Sequence, residues 1–224
     1  MVTTPVQTLG IIGAGNVGAQ IARRAVQIGL DVVLANSRGP ETLEELIAEL
    51  APSAGAATVA DAARAGDVVV VAIPISGYRD LPAEAFVGKT VIDTGNYYPE
   101  YSGRVDELEQ PSAPTTSELL QHFLPGATVV KALNNLGSAD VTTDGSPAGT
   151  PDRRSLAIAG DDADAKASVT SLLDRFGFDV VDAGPLSEGW RSERDQPAYG
   201  VRLDRAGMEA ALAAAERRSA VADV

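Results

Sequence analysis

The sequence contains no cysteine among its 224 residues and only one histidine, His122. Without cysteine the chain can form no disulfide framework and no thiolate metal site, and it has no thiol nucleophile. We therefore expect a cytoplasmic protein without a metal site, in which any redox chemistry depends on a bound cofactor.

An excess of basic residues and a long apolar run are also missing. Lysine and arginine total 18 against 31 acidic residues, for a net charge of −13, which would repel nucleic acid and anionic lipid at long range. No apolar run approaches the roughly 20 residues that cross a bilayer, and the start MVTTPVQTLG does not resemble a secretory signal. We expect neither a nucleic-acid nor a membrane partner, so local donors must hold any anionic ligand.

The chain does contain alternating strand and helix patterns. Apolar, partly β-branched runs typical of buried parallel strands occupy residues 8–12, 31–35, 67–73, 90–94 and 127–131. Helical spacing separates them, with Pro40 in a first helical turn and a capping box expected between Thr115 and Glu118. The sequence therefore predicts an α/β fold with a doubly wound, mostly parallel sheet.

A polar stretch rich in glycine and proline, residues 142–154, predicts an exposed loop. Strand, helix and strand patterns follow at residues 156–159, 163–176 and 179–181, and an alanine-rich helix is expected at 205–218. We therefore divide the chain into a Rossmann dinucleotide-binding domain, residues 1–141, and a small C-terminal α/β extension, residues 142–224, packed on the same core.

The stretch GAGNVG after the first strand places Gly13, Gly15 and Gly18 in the spacing of a dinucleotide-binding turn. In that turn the first glycine allows the bend, the second lets the backbone approach a pyrophosphate, and the third allows close packing of helix on strand. The free N–H groups of the helix start would bind the pyrophosphate. They belong to Ala14, Gly15, Asn16 and Val17.

The stretch LANSRGP follows the second strand, where an NAD-binding protein carries an acid that accepts hydrogen bonds from the ribose 2′-hydroxyl. Here Asn36 has no charge, Ser37 offers a hydroxyl, and the planar fork of Arg38 can pair with a 2′-phosphate. The replacement of the acid by these residues predicts NADP(H) in preference to NAD(H). The alternative is that Arg38 is a solvated loop arginine.

Two later strand ends should face the same ligand, since ligands in open α/β sheets lie outside the carboxyl ends of the strands. One comprises Ala72, Ile73 and Pro74, where the small Ala72 leaves room for a nicotinamide ring; the other comprises Thr94, Gly95 and Asn96. A purely structural turn at each end is the alternative.

Taken together, several stretches resemble the NADPH-dependent reductases of the deazaflavin coenzyme F-420. The resemblance runs from about residue 8 to 190, and its late segment is the most particular part. The stretches are GAGNVG, ANSR, VVVAIP, VIDTGN, VVKALNN and AGDDADAKASVTSLLDRFGFDVVDAGPL.

The resemblance implies reversible hydride transfer between NADPH and F-420, with the two rings stacked and little acid–base help needed. It places recognition of the NADP phosphate on Ser37 and Arg38 and the nicotinamide near Ala72 to Pro74. The second cofactor would lie near Ala132 to Gly137, with Asn134 and Asn135 as amide donors and acceptors or as structural residues.

The chain departs from this family pattern after Leu186, where it runs SEGWRSERDQPAYG with its only tryptophan, Trp190. This stretch either lines a different acceptor pocket or reaches a partner subunit. Other functions therefore stay open: an NADPH reductase of a flavin, a ferric chelate or a small imine or ketone, or a non-catalytic NADP-binding sensor.

Isolated residues and the last helix suggest further expectations. His122 is expected to be a partly buried structural residue and Lys131 a solvated strand end, with a general acid role the alternative for each. Asp161, Asp162 and Asp164 are expected at a helix N-terminus. The small-residue stripe at Met208, Ala211, Leu212 and Ala215 suggests either a homodimer or docking onto the same chain.

Overall fold

The structure, a computed structural model, describes residues 5–110 and 113–217, with only the backbone of Ser102. The strands are β1 (Thr8–Ile12), β2 (Asp31–Ala35), β3 (Ala54–Ala56), β4 (Val68–Val71), β5 (Thr90–Asp93), β6 (Thr128–Lys131), β7 (Ser155–Gly160) and β8 (Asp179–Asp182). The α-helices are α1 (Asn16–Gln27), α2 (Glu44–Leu50), α3 (Val59–Ala65), α4 (Pro99–Ser102), α5 (Thr116–Phe123), α6 (Asp140–Thr143), α7 (Ala163–Phe176) and α8 (Arg205–Ala213). Short 3-10 helices cover Pro40–Leu43, Ile75–Asp80, Ala83–Phe86, Asp106–Leu108 and Leu186–Ser192.

Within the described residues the eight strands form one sheet in the order β3-β2-β1-β4-β5-β6-β7-β8. The first six strands run parallel, β7 pairs antiparallel with β6, and β8 is parallel to β7. The order 3-2-1-4-5-6 is that of a Rossmann sheet, which carries its ligand where the order reverses, between β1 and β4. The predicted doubly wound, mostly parallel α/β fold is confirmed.

Both faces of the sheet are covered, because successive strand residues enter different hydrophobic clusters. Ile11 and Val70 pack in a cluster with α1, α2 and α7, whereas Ile12 and Val69 pack in a second cluster with α3 and α5. This explains why the central strands are apolar without interruption.

The C-terminal strands and α7 share the first cluster with the N-terminal strands, since Leu156 and Val169 pack there with Leu9. The Arg24 side chain on α1 also donates two hydrogen bonds to the Phe176 carbonyl, at 2.9 and 2.6 Å. The division at residue 142 stays a prediction, because β7 continues the sheet directly from β6.

Several local expectations are confirmed. The Thr115–Glu118 capping box forms with both reciprocal hydrogen bonds, and the side chain of Asp162 caps α7 by accepting from the Ala165 amide. Pro40 opens a 3-10 turn that leads into α2. The last helix ends at Ala213, and residue 218, the predicted end, lies outside the described residues.

The loop expectation for residues 142–154 is wrong at both ends. Thr142 and Thr143 belong to α6, and Arg153 and Arg154 are buried. Arg153 is paired with Asp174 and Asp179, and Arg154 with Asp140 and Asp144. These ion pairs with acids 10 to 26 positions away allow the two arginines to be buried.

The stripe on the last helix packs onto its own chain. Met208 and Leu212 are buried against Ala157, Val181 and Ala198. Intramolecular docking therefore accounts for the apolar face that suggested a dimer. No helix in the described part of the chain is long and apolar enough to cross a membrane.

Candidate active site

The glycine turn joins β1 to α1 so closely that two of its glycines cannot carry a side chain. Gly13 has a φ of +104°, and a Cβ there would lie 2.2 Å from the Ala72 carbonyl oxygen. A Cβ on Gly18 would lie 1.8 Å from the Gly13 carbonyl oxygen. Gly18 is buried and packs the helix on the strand without lining a cavity.

Gly15 differs from these two, because a Cβ built on it meets nothing within 4 Å. It is the N-cap of α1, with no side-chain hydrogen bond to the helix start and no acid in the first turn. The first N–H groups of the helix and the positive end of its dipole are thus left for an anionic ligand. The open space at Gly15 fits a pyrophosphate approaching the backbone.

The loop after β2 is organised by Asn36. Its side-chain Oδ1 accepts from the Arg38 amide at 2.9 Å, and its Nδ2 donates to Thr42 Oγ1 at 2.8 Å. Ser37 and Arg38 are exposed. Within the described residues the Arg38 guanidinium has no hydrogen-bond or ion-pair partner, so it is available to a ligand.

A cavity of about 460 Å³ connects this loop to the glycine turn and the end of β4. We call it the first cavity. It brings together nine of the predicted cofactor-binding residues: Gly13, Ala14, Gly15, Asn36, Ser37, Arg38, Ala72, Ile73 and Pro74.

A second cavity of about 430 Å³ shares Ala72, Ile73 and Pro74 with the first. It contains four more predicted residues, Asn16, Val17, Asn96 and Asn134. None of the described residues that line it has a charged side chain. The others are Ile75, Thr94, Gly95, Tyr98, Tyr101, Leu133, Leu136, Gly137, Ser138 and Tyr199.

Ala132 reaches neither cavity. It follows β6 and is fully buried in the first hydrophobic cluster, on the same face as Val130. Its side chain lies on the core side of the strand, as does that of Val130 two residues earlier, and a cofactor contact at Ala132 stays a prediction.

The two asparagines after β6 hold residues 187–200, which we call the 187–200 segment. Asn134 Nδ2 donates to the Ser192 carbonyl at 2.8 Å and to Asn96 Oδ1 at 3.3 Å. Asn135 Nδ2 donates to the Ala198 carbonyl at 3.3 Å. These amides therefore act mainly in positioning the segment that walls the second cavity.

A buried charge network lies beneath that cavity and also reaches the 187–200 segment. Lys131 Nζ donates to the Gly95 carbonyl and to Thr116 Oγ1, both at 2.7 Å, and lies 3.0 Å from Glu193 Oε1. Its nitrogen is 3.8 Å from Asp93 Oδ2. The solvated strand end expected for Lys131 is wrong, because two carboxylates compensate its burial.

Asp93 is fully buried and fully engaged. It accepts from the Tyr78 hydroxyl at 2.5 Å, the Gly95 amide at 2.8 Å and the Ser117 hydroxyl at 2.6 Å. Burial, followed by the negative charge of Asp93, raises the pKa of Tyr78 well above its usual value. The network therefore fixes the ends of β5 and β6 as a rigid floor.

Sequence reasoning missed the tyrosines of the second cavity. The hydroxyls of Tyr98 and Tyr199 are hydrogen-bonded to each other although the residues are 101 positions apart. The pKa of Tyr98 is raised mainly by burial and then by its hydrogen bond to Tyr199. The only signal was the tyrosine-rich composition of the NYYPEY stretch, which gives no indication of its distant partner.

The other residues singled out from the sequence lie outside both cavities. His122 is exposed and makes an edge contact with Phe123, so the partly buried position expected for it is wrong. Trp190 is half-buried beneath the Arg191 guanidinium, 4.6 Å from its ring centre. Neither residue is placed to contact a ligand of the two cavities.

Comparison with known proteins agrees with this geometry. Residues 8–97 match the family described as NADP oxidoreductase, coenzyme F420-dependent. Over these residues the chain is similar to that family of NADP oxidoreductases. The matched residues include the glycine turn, the Arg38 loop and the ends of β4 and β5, and NADP(H) is the cofactor of this family.

Relatives and solved structures extend the similarity beyond the matched residues. The rat metalloreductase STEAP3 is 31% identical over 199 residues, which cover 87% of this chain and 36% of that protein. The chain thus spans about a third of the length of this relative. The family match and the reductase relative together support an NADP-dependent oxidoreductase.

Two crystal structures resemble most of the fold. A hypothetical protein from Sinorhizobium meliloti is 29% identical with a TM-score of 0.75, covering 89% of this chain and 95% of that one. A candidate F-420-dependent NADP reductase from Arthrobacter sp. FB24 is 27% identical with a TM-score of 0.68, covering 81% and 86%. The late strands and α7 therefore belong to an arrangement found in other proteins.

Proposed function

We propose that the protein transfers a hydride from NADPH, bound in the first cavity, to a planar acceptor bound in the second, with the deazaflavin F-420 as the leading acceptor. The observation that carries the proposal is that the two cavities meet at Ala72, Ile73 and Pro74. A nicotinamide placed there has one face toward the second cavity.

The residues of the first cavity fit NADPH along its length. Arg38 and Ser37 would hold the 2′-phosphate, the start of α1 would hold the pyrophosphate, and Gly15 leaves the space that the pyrophosphate needs. When bound, NADPH supplies the hydride and its two electrons.

The second cavity suits a flat, uncharged ring system. Tyrosine rings and aliphatic side chains such as Leu133 and Leu136 line it, without a charged side chain among the described residues. Such walls exclude water and hold two rings in contact, which is most of what a direct hydride transfer requires. The match to the F-420-dependent family supports a deazaflavin as the ring.

The test is steady-state absorbance with NADPH and oxidised F-420, run beside NADPH alone. We expect NADPH to be consumed in step with loss of the oxidised deazaflavin absorbance. Binding of both compounds without turnover would contradict the proposal, and would favour the non-catalytic NADP-binding sensor if no other acceptor is reduced.

A second candidate is NADPH-dependent reduction of a ferric chelate, either directly or through a flavin. It is favoured by the 31% identity to a metalloreductase. Replacing F-420 with free flavin, and then adding a ferric chelate, distinguishes the two candidates. Faster NADPH oxidation with flavin and iron than with F-420 would make metal reduction the leading function.

The homodimer suggested by the sequence stays a prediction. Its original argument is weakened, because Met208 and Leu212 are buried against their own chain. Light scattering at micromolar concentration would test it, and a monomer mass would contradict it.

A further inference from the structure

Most polar side chains of the second cavity already have protein partners. Thr94 Oγ1 donates to the Val71 carbonyl at 3.1 Å, and Asn96 Nδ2 donates to the Asn134 carbonyl at 2.9 Å. Asn134 is bonded in turn to Ser192. These three side chains are therefore held by the protein before an acceptor binds.

Tyr98 and Tyr199 also line this cavity, and their hydroxyls are hydrogen-bonded to each other at its wall. The pair contains two hydroxyl protons, and the hydrogen bond between them uses one. When Tyr98 is the donor, the proton of Tyr199 remains for a ligand.

Both rings are held by contacts outside the cavity. The Arg194 guanidinium lies 5.0 Å from the centre of the Tyr98 ring and is paired with Glu100. The backbone on each side of Tyr199 is fixed, because its own amide donates to the Gln196 carbonyl at 2.9 Å and the Gly200 amide donates to the Asn135 carbonyl at 3.0 Å. The hydroxyl pair is thus preorganised before a ligand binds.

Tyr98 also stays protonated at neutral pH. Burial is the largest cause of the raised pKa of Tyr98, and the bond to Tyr199 adds to it. A protonated Tyr98 can return a proton to Tyr199 after Tyr199 has donated its own.

We propose that Tyr199, hydrogen-bonded to Tyr98, is the proton donor to the acceptor reduced in the second cavity. This inference rests on the proposed hydride transfer and specifies its substrate class. The acceptor is a planar molecule in which an oxygen or nitrogen is conjugated to the carbon that takes the hydride.

The reduction joins a hydride transfer to a proton transfer. The hydride forms a new C–H bond on the acceptor, the electron pair of the acceptor π bond moves to the conjugated oxygen or nitrogen, and that atom takes the Tyr199 hydroxyl proton. Tyr199 regains a proton from Tyr98, which is reprotonated from water. The sum is NADPH, one proton and the acceptor giving NADP⁺ and the reduced acceptor.

The test compares Tyr199→Phe and Tyr98→Phe with a matched control, Tyr97→Phe. Tyr97 is the neighbour of Tyr98, but its hydroxyl is bonded to Glu109 and to the Val105 amide, outside the second cavity. For each variant, kcat is measured with the acceptor that the parent protein reduces best, the Kd of NADPH by fluorescence, and the Kd of oxidised F-420 by quenching of its own fluorescence.

We expect Tyr199→Phe to lower kcat by about 10²-fold, the lower end for loss of a general acid. The Kd of F-420 should rise about tenfold with loss of one hydrogen bond, while the Kd of NADPH should stay unchanged, which shows that the fold is intact. Imidazolium buffer should partly restore kcat of Tyr199→Phe and leave the parent unaffected, a rescue that a purely structural role would not give. Tyr98→Phe should have a smaller effect, and Tyr97→Phe should match the parent.

Two other outcomes are distinguishable. If the parent reduces an acceptor and Tyr199→Phe equals it in kcat and F-420 affinity, the inference is overturned and the hydride-transfer proposal stands. If the parent reduces neither F-420, nor free flavin, nor a ferric chelate, the proposed function is overturned and the inference with it.

Discussion

At the scale of single residues, the exchange of an acid for Asn36 has two effects. It removes the charge that would repel a 2′-phosphate, and it adds an amide oxygen that accepts from the Arg38 amide at 2.9 Å. The short polar side chain thus shapes the turn from which Arg38 extends. We therefore treat Asn36 and Arg38 as one unit, in which the asparagine fixes the loop and the arginine is proposed to bind the 2′-phosphate.

This unit predicts the effect of Arg38→Ala. Loss of a charged hydrogen bond, worth about 1.5–3 kcal/mol, should raise the Kd of NADPH by roughly 10- to 100-fold. The Kd of NADH should barely change, because NADH has no 2′-phosphate. Isothermal titration calorimetry provides both values.

Arg64→Ala is the matched control, since Arg64 is also exposed and is paired only with Asp61 on α3, away from the first cavity. Equal losses of NADPH and NADH affinity in Arg38→Ala, or any such loss in Arg64→Ala, would contradict the assignment.

The buried Lys131 supports a prediction on stability. Lys131→Met would leave Asp93 and the partly buried Glu193 without their cation, and breaking such a pair costs about 3–5 kcal/mol. Urea unfolding measures the loss. The control is Lys166→Met, whose partner Asp182 is half-exposed, so that the cost should be about 0–1 kcal/mol. Similar midpoints for both variants would show that the network contributes little.

At the scale of elements, the three glycines of the β1–α1 turn have two different roles. Gly13 and Gly18 are fixed by contacts within the protein, whereas Gly15 faces open space at the helix start. A side chain at Gly15 would thus disturb a ligand and leave the fold unchanged.

We therefore expect Gly15→Ala to fold with parental stability and to bind NADPH about tenfold or more weakly, since its Cβ occupies the place of the pyrophosphate. Gly18→Ala should instead destabilise the fold by about 1–3 kcal/mol through overpacking. Thermal unfolding and NADPH titration distinguish these effects. Gly55→Ala, with nothing within 4 Å of its Cβ, is the control for adding a methyl group outside both cavities. Unchanged NADPH affinity in Gly15→Ala would contradict the placement of the pyrophosphate.

The elements also show which parts of the fold a sequence pattern can predict. The runs at Thr8–Ile12 and Asp31–Ala35 were predicted to the residue, because each is a buried strand bounded by polar or glycine residues. β3 and α3 were missed, because runs of alanine and glycine have little hydrophobic periodicity. The Thr58 and Asp61 pair, which caps α3, was the available signal.

The candidate site also has a part that the sequence could predict and a part that it could not. The first cavity could be predicted because its residues lie in short contiguous stretches at strand ends. The role of the 187–200 segment could not, because it depends on contacts such as Glu193 with Lys131 and Ser192 with Asn134. These contacts join residues about 60 positions apart, and no local pattern encodes them.

At the scale of the whole molecule, the sheet places the two cavities side by side, so that they share Ala72, Ile73 and Pro74. The ends of β1, β2 and β4 and the loops that follow them line the first cavity at the point where the strand order reverses, and the 187–200 segment, which follows β8, adds Tyr199 to the wall of the second cavity. The negative net charge of −13 makes the local donors at Arg38 and the start of α1 more important, since they must outweigh it for a phosphate ligand.

The most direct test of this account is a crystal structure with NADPH bound. We predict the 2′-phosphate within hydrogen-bond distance of the Arg38 guanidinium, the pyrophosphate at Gly15, and the nicotinamide at Ala72 to Pro74 with its C4 facing Tyr98 and Tyr199. A nicotinamide directed away from the second cavity, or a 2′-phosphate in solvent with Arg38 turned from it, would contradict the account.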